Sequence, residues 1–159
     1  MCCKAFKKGD IDGSVKFFDE AINLETDNAK KADNAYKAAS VLASAKKLSQ
    51  ARSYAQKAIS FNENFGAPYI LIAQLYAGNY KWNDEPALNK CTFFAAIDKL
   101  QRAKAVDPSV AEEANKLISS YSAYTPEAKD LFMLGYKAGD RITIGGGSGR
   151  LRRSDNICY

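Results

Sequence analysis

Apolar residues recur every three or four positions along most of the chain, which is the spacing of amphipathic helices. Turn-forming residues interrupt this pattern between Ala77 and Cys91, around the only tryptophan, Trp82. Residues 141–144 are long enough only for one short strand or an extended segment. The pattern predicts helices over residues 14–25, 29–48, 49–61, 66–80, 92–106, 109–124 and 126–138. The sequence therefore predicts an all-α protein built mainly from helix hairpins.

Three of the predicted helices share one spacing of small and bulky residues. Each carries such residues at the first, fifth and eighth positions of a short window, which places them on a single helix face. A turn residue or a proline follows five residues after each window. The three sets are Ser14, Phe18 and Ala21; Ala51, Ala55 and Ala58; and Ala96, Leu100 and Ala103. The identical spacing indicates three copies of one helix-hairpin unit.

This arrangement resembles the tetratricopeptide repeat (TPR), a helix-turn-helix unit of about 34 residues. The loop around Trp82, the helix end at Asp107 and Pro108, and the segment from Thr125 to Phe132 are similar to the carboxyl-terminal part of TPR proteins common in Bacteroidetes. The resemblance covers about residues 8–146. It implies a right-handed superhelix of antiparallel helix hairpins, an α-α solenoid, that binds proteins and has neither catalytic activity nor a cofactor.

The resemblance also divides the chain. Residues 1–146 form the helical-repeat domain, with the Trp82 loop inserted between the two helices of the third repeat. The expected repeats lie at about 1–26, 29–63 and 66–108, and extra helices follow at 109–124 and 126–138. Ser109 and Glu112 have the spacing of a capping box at the start of the first extra helix.

Both ends depart from the family pattern. The first repeat begins in the middle of a helix, so we expect an amino-terminal part to be missing and Val15, Phe18 or Ile22 to be exposed. An uncapped repeat of this kind favours self-association. For residues 147–159 we hypothesise a frameshifted reading of the Trp-Ile-Gly and Thr-rich ending found in similar proteins. The alternative is a flexible Gly/Ser linker with a basic end.

Composition narrows the classes of chemistry. The chain contains no histidine, which removes most general-base, zinc-site and Ser/Cys-His nucleophile schemes. Its cysteines have no Cys-x-x-Cys spacing, so free thiols and no metal site are predicted. Lys90 beside Cys91 is a weak indication of a reactive thiol. We expect a non-enzymatic protein.

Charge bears on the partner. The chain carries 23 positive and 18 negative side chains, and three of the positive ones, Arg150, Arg152 and Arg153, lie in its last ten residues. The remainder is close to balance, with lysines interspersed among acidic residues as on a solvated surface. No apolar run has the length of a signal-peptide core or a membrane span. The sequence predicts a protein or peptide partner, no nucleic acid and no membrane insertion.

Candidate binding residues follow from the resemblance, since the first helices of TPR units line a concave groove. In the second unit that face carries Asp33, Tyr36, Lys37 and Ser40, and in the third it carries Ile70 and Gln74. The mixture of polar and aromatic side chains suits an extended peptide or a partner helix. We expect these groove positions to be exposed.

Two alternatives remain open at this point. Trp82 either packs against its own repeats or contacts a partner, because tryptophan is enriched in interface hot spots. The whole chain is either an interaction module or a structural, cell-envelope assembly component whose groove packs on its own missing repeats.

Overall fold

The computed structural model describes residues 11–137 together with Asp140, Ile142 and Ile144. Within this described part the chain is helical and forms no strand, which confirms the all-α prediction. Ile144 makes a single β-bridge. The helices are α1 (Ile11–Leu24), α2 (Asn28–Ser44), α3 (Leu48–Phe61), α4 (Gly66–Gly78), α5 (Pro86–Lys90), α6 (Thr92–Val106), α7 (Ala111–Ser122) and α8 (Ala128–Met133), with a 3-10 turn at Pro108–Val110.

The long helices pack in chain order. α2 pairs with α3, and α4 pairs with α6 across the inserted loop and α5. α1 packs on α2, and α7 packs on α6. α3 packs on α4, and this contact joins the first hairpin to the second. α2 also touches α4 directly. The result is an array of helix hairpins in which neighbours along the chain are neighbours in space.

The repeated spacing marks the buried seam of this array. Ala51, Ala55 and Ala58 on α3 have no exposed surface, and neither do Ala96, Leu100 and Ala103 on α6. On α1 the equivalent Ser14 and Phe18 are buried, at 1% and 7% exposed, and Ala21 is half-buried. Small side chains at these positions let neighbouring helices approach closely enough to fill the space between them.

Polar contacts join α1 to α3. The Tyr54 hydroxyl donates a hydrogen bond of 2.6 Å to the Asp19 carboxylate, and Lys57 forms an ion pair with the same carboxylate at 3.6 Å. Burial, together with the Asp19 carboxylate, raises the pKa of Tyr54 to about 12. Lys47 pairs with Asp12 at 2.5 Å, so two contacts link residues that are 35 positions apart in the sequence. A constant offset means that α1 and α3 run in the same direction.

Several helix boundaries differ from those predicted. α2 ends at Ser44, because Lys46 adopts a left-handed conformation (φ 59°) that no helix continues through. The short helix α5, which begins at a first-turn proline, lies in the segment predicted as loop. The helix predicted for residues 126–138 is reduced to α8, and Gly135 (φ 88°) follows its end.

Asp107 fixes the start of α4 against the end of α6. Its carboxylate accepts hydrogen bonds from the backbone N–H groups of Gly66 and Ser109, both at 3.1 Å, and from the Ser109 hydroxyl at 2.5 Å. Asp107, rather than Ser109, is therefore the cap of this segment. A Cβ atom at Gly66 would lie 2.6 Å from Val110 Cγ2 and 2.7 Å from Asp107 Cβ. Only glycine fits this close approach.

Some predictions lie outside the described residues. These are the start of the first repeat in residues 1–10, the tail 147–159, and Arg141 and Thr143 of the predicted strand. Ile142 and Ile144, on either side of Thr143, are buried in the main core. None of the helices described above is both long enough and apolar enough to span a bilayer.

Candidate functional site

The predicted groove residues on α2 interact mainly with one another. Lys37 and Asp33 form an ion pair at 2.5 Å, one helical turn apart, with about half of each side chain exposed. The Ser40 hydroxyl donates to the Tyr36 backbone carbonyl at 3.0 Å. These polar groups are satisfied within their own helix. This surface of α2 is therefore compatible with contact with solvent. None of its polar side chains is both buried and without a hydrogen-bond partner.

Tyr36 is more involved in packing than the sequence suggests. Its ring is half-buried and meets Phe65 edge to face, with ring centroids 5.3 Å apart. It also packs against a small cluster formed by Ile22, Ala35 and Ala58. The expectation of an exposed tyrosine is thus corrected to a ring that is shared between the core and the α2 surface.

The two predicted groove residues on α4 separate. Gln74 is exposed, as expected. Ile70 is 4% exposed and belongs to the main core, so its assignment to the groove surface is corrected. The reason is that α4 is apolar on all sides and packs against α2, α3 and α6. A helix with neighbours on several sides has few positions that reach solvent.

Trp82 is anchored to its own repeat. Its indole Nε1–H donates to Thr92 Oγ1 at 3.0 Å, and its ring packs against the main core. The Asn89 side chain accepts hydrogen bonds from the backbone N–H groups of Trp82 and Asn83, at 2.7 and 2.8 Å, and donates to the Asn83 carbonyl at 2.7 Å. Trp82 is thus half-buried against its own chain, and its contact with a partner stays a prediction.

The thiol of Cys91 is part of the core. It has no exposed surface, and it donates a hydrogen bond to the Ala87 carbonyl at 3.5 Å. Burial raises the pKa of Cys91 to about 11, so the thiol is protonated at neutral pH and is not a nucleophile. Within residues 11–137, 140, 142 and 144, no three Cys, Asp or Glu side chains are grouped to hold a metal ion.

A cleft that the sequence did not indicate lies among α3, α4 and α6. Its volume is about 460 Å³, and no residue of α2 lines it. α3 contributes Arg52 and Ile59 to the walls, and α4 contributes Tyr69, Ile72 and Tyr76. Two tyrosine rings and two isoleucines make most of this surface apolar.

Arg52 is the unusual group in the cleft. The residue is only 9% exposed, and its Nε atom is buried with no hydrogen-bond partner. Its guanidinium lies over the Tyr76 ring, 5.2 Å from the centroid, which is a cation–π contact. No carboxylate of the described residues pairs with it. Most buried polar groups in folded proteins have a partner, so this arginine is an exception that needs a physical explanation.

The rim of the cleft is polar. Gln56, Ser60, Glu63 and Lys99 surround the opening. The Ser60 hydroxyl donates to the Lys57 carbonyl at 2.8 Å, and the Lys99 ammonium lies 3.5 Å from the Asp98 carboxylate. The Tyr69 hydroxyl points to the rim and donates to the Glu63 backbone carbonyl at 3.4 Å. Ser60, Lys99 and Tyr69 therefore have local partners, and Arg52 has no hydrogen-bond partner among the described residues.

A signal for the cleft does exist in the sequence. Arg52, Gln56 and Ile59 follow one another at helical spacing, which places them on one side of α3, and Glu63 lies in the turn after this helix. On its own, such a row is indistinguishable from a solvated helix face. Its meaning depends on the packing of α4 and α6 against it, which brings the rows of three helices together only in three dimensions.

The fold defines an all-α protein made of helix hairpins that pack in chain order. No protein-family model matches the chain, and a search of curated proteins finds no match.

Proposed function

We propose that this chain is a non-catalytic TPR-like interaction module that binds a peptide or protein on the surface shared by α2 and α4. The observation that carries the proposal is the order of packing. α2 and α4, the first helices of successive hairpins, touch each other, and α1 and α3, the second helices, are linked at a constant offset of 35 residues. This offset is close to the length of one TPR unit, about 34 residues.

The chemistry of the α2/α4 surface supports an extended peptide as the partner. Asp33 and Lys37 offer both signs of charge, Gln74 offers an amide, and Tyr36 presents the exposed part of its ring. Charged groups and amides form hydrogen bonds with the backbone and side chains of a peptide, and a partly exposed tyrosine adds contact area.

The test uses the exposed members of this surface. Peptides are selected on the full chain from a random library, and their affinity is then measured for the Lys37→Ala, Gln74→Ala double variant. Truncating these side chains removes polar contacts of the groove while the core is untouched, so we expect about tenfold weaker binding. The matched control is Lys116→Ala, Gln101→Ala, which changes the same residue types at exposed positions of α7 and α6.

Equal loss of affinity in the two double variants would contradict the proposal, because binding would then not depend on the α2/α4 surface. Unchanged affinity in the groove variant would place the peptide site elsewhere on the molecule.

One observation favours the alternative of an assembly component. Phe17 is 50% exposed and Leu24 is 84% exposed on α1. The expectation for this helix named other residues, but Phe18 and Ile22 are buried and Val15 is half-buried. Exposed apolar side chains on α1, the first helix of the described residues, favour association. Light scattering on the wild type and on Phe17→Ser, Leu24→Ser tests this: a dimer that the variant converts to monomer supports assembly through α1.

A further inference from the structure

The geometry of the cleft among α3, α4 and α6 points to a site for a small organic monoanion, a carboxylate carried on an aryl or branched alkyl body. Arg52 binds the carboxylate, and the tyrosine and isoleucine walls contact the body. The cleft shares no residue with the α2 surface, so this site is separate from the proposed peptide surface and does not depend on it.

Arg52 brings a positive charge to the wall of the cleft. A guanidinium keeps its charge at any pH at which the protein is folded, so its burial is not relieved by deprotonation. Its Nε is buried without a partner, the Tyr76 ring lies over the guanidinium, and no carboxylate of the described residues pairs with it. The terminal guanidinium nitrogens are not among the buried, unpartnered atoms, so they are the part of Arg52 that a ligand in the cleft meets. A carboxylate binds such a planar group with two parallel hydrogen bonds.

The size and lining of the cleft suit a small organic ligand. A volume of about 460 Å³ lies within the range of small-molecule pockets, roughly 300–1,000 Å³. The rings of Tyr69 and Tyr76 and the side chains of Ile59 and Ile72 form its apolar lining. A mixed surface on which a cation lies beside aromatic and aliphatic side chains suits a small amphipathic acid.

The other charged residues around the cleft favour a ligand with a single negative charge. Lys99, the second cation of the cleft, already lies 3.5 Å from Asp98. Glu63 places a carboxylate on the rim. Arg52 is therefore the cation of the lining that has no ion-pair partner among the described residues, and a ligand with two negative charges would bring the second one close to Glu63. A monoanion fits this balance.

The experiment uses the full chain and three probes: phenylacetate, indole-3-acetate and 4-methylpentanoate. Binding is followed by calorimetry and by the nuclear magnetic resonance signal of the Arg52 Nε–H, which Arg52→Met identifies by its loss. We expect at least one probe to bind at millimolar concentration or below and to shift that signal. The corresponding neutral amide and inorganic phosphate should bind much more weakly, because the amide lacks the charge and phosphate carries too much of it.

Arg52→Met is the test variant, since methionine fills similar space without charge and the fold does not require the unpaired Nε. We expect about tenfold or greater loss of affinity for the acid. The control is Arg102→Met, which removes an exposed arginine of α6 that does not line the cleft and should leave affinity unchanged. Lys37→Ala, Gln74→Ala should also leave it unchanged, which separates this site from the proposed peptide surface.

Three results would overturn the inference: no binding by any of the three acids, equal binding of an acid and its amide, or undiminished binding by Arg52→Met. A further probe is a short peptide with a carboxyl-terminal phenylalanine. Its tighter binding than phenylacetate would assign the cleft to chain termini and overturn the assignment to free small acids, and weaker binding would support it.

Discussion

The α2/α4 surface and the cleft both include residues of α4, but they differ in whether their polar groups have partners. On the α2 surface, charges and hydroxyls find partners within one helix, as in the Asp33–Lys37 pair and the Ser40 hydrogen bond. In the cleft, Arg52 is buried without a hydrogen-bonding partner among the described residues. A surface whose groups are already satisfied gains little from any one contact, whereas a buried unpaired charge gains a great deal. The capacity of a polar group to bind a ligand therefore depends on whether it already has a partner as well as on its exposure.

Because α4 contributes to both surfaces, the largest expected effect comes from displacing it. In Gly66→Ala the added Cβ meets Val110 and Asp107 at 2.6 and 2.7 Å, closer than side-chain carbons approach. The start of α4 or the turn after α6 must move, and we expect a loss of about 2 kcal/mol in the free energy of unfolding. Urea denaturation followed by circular dichroism measures this loss.

The matched control lies at the other end of the same helix. A Cβ at Gly78 has no atom within 4 Å, so Gly78→Ala should be neutral or stabilising by up to about 1 kcal/mol through higher helix propensity. If the two alanine variants were equally stable, the close approach at Gly66 would not constrain α4, and the two surfaces would not share a rigid wall.

The next effect concerns the carboxylate that holds α4 in place. Asp107→Ala removes acceptors for Gly66 and Ser109, and we expect a loss of about 1–2 kcal/mol at neutral pH. Asp84→Ala, at an exposed loop position, should change stability by less than about 0.5 kcal/mol. Both variants are measured by urea denaturation beside the wild type.

The stabilisation by Asp107 depends on pH in a defined direction. The hydrogen bond from the Ser109 hydroxyl, followed by that from the Gly66 N–H, holds the pKa of Asp107 below its ordinary value. A lowered pKa in the folded state means that the contribution is present above the unfolded-state pKa, about 3.9, and is lost as the pH falls through the folded-state value. The stability difference between wild type and Asp107→Ala should therefore shrink in acid. A constant difference would contradict the ionised-acceptor explanation.

The sequence predicted the fold better than the sites. The helical spacing and the repeated alanine positions predict the hairpins, because a helix that buries one face has apolar or small residues at regular intervals along its sequence. The prediction of Ile70 as a groove residue was wrong, because α4 buries nearly all of its surface and the apolar periodicity does not show which side faces α2. The burial of Arg52 was not predicted for a different reason. A charged residue on a helix is ordinarily solvated, and the burial of Arg52 depends on how α4 and α6 pack against α3.

Replacing Arg52 tests the cleft half of the comparison directly. Arg52→Met removes a buried donor without a partner, a gain that exceeds the loss of the cation–π contact with Tyr76. We expect an increase of about 1 kcal/mol in the free energy of unfolding. Arg102→Met, at an exposed position, should stay within about 0.5 kcal/mol of the wild type. A clear destabilisation by Arg52→Met would mean that the arginine is already compensated in the free protein.

The smallest effect is expected on the α2 surface. A double-mutant cycle with Asp33→Asn and Lys37→Met should give a coupling of about 0.3–0.5 kcal/mol, because both side chains are about half exposed and water screens their attraction. Glu112 and Lys116 on α7 form a matched pair with the same spacing and greater exposure, and their cycle should give a similar value. Added salt should reduce both couplings. A coupling above about 1 kcal/mol confined to the α2 pair would contradict this prediction, because the attraction between Asp33 and Lys37 would then be as strong as that of a buried ion pair.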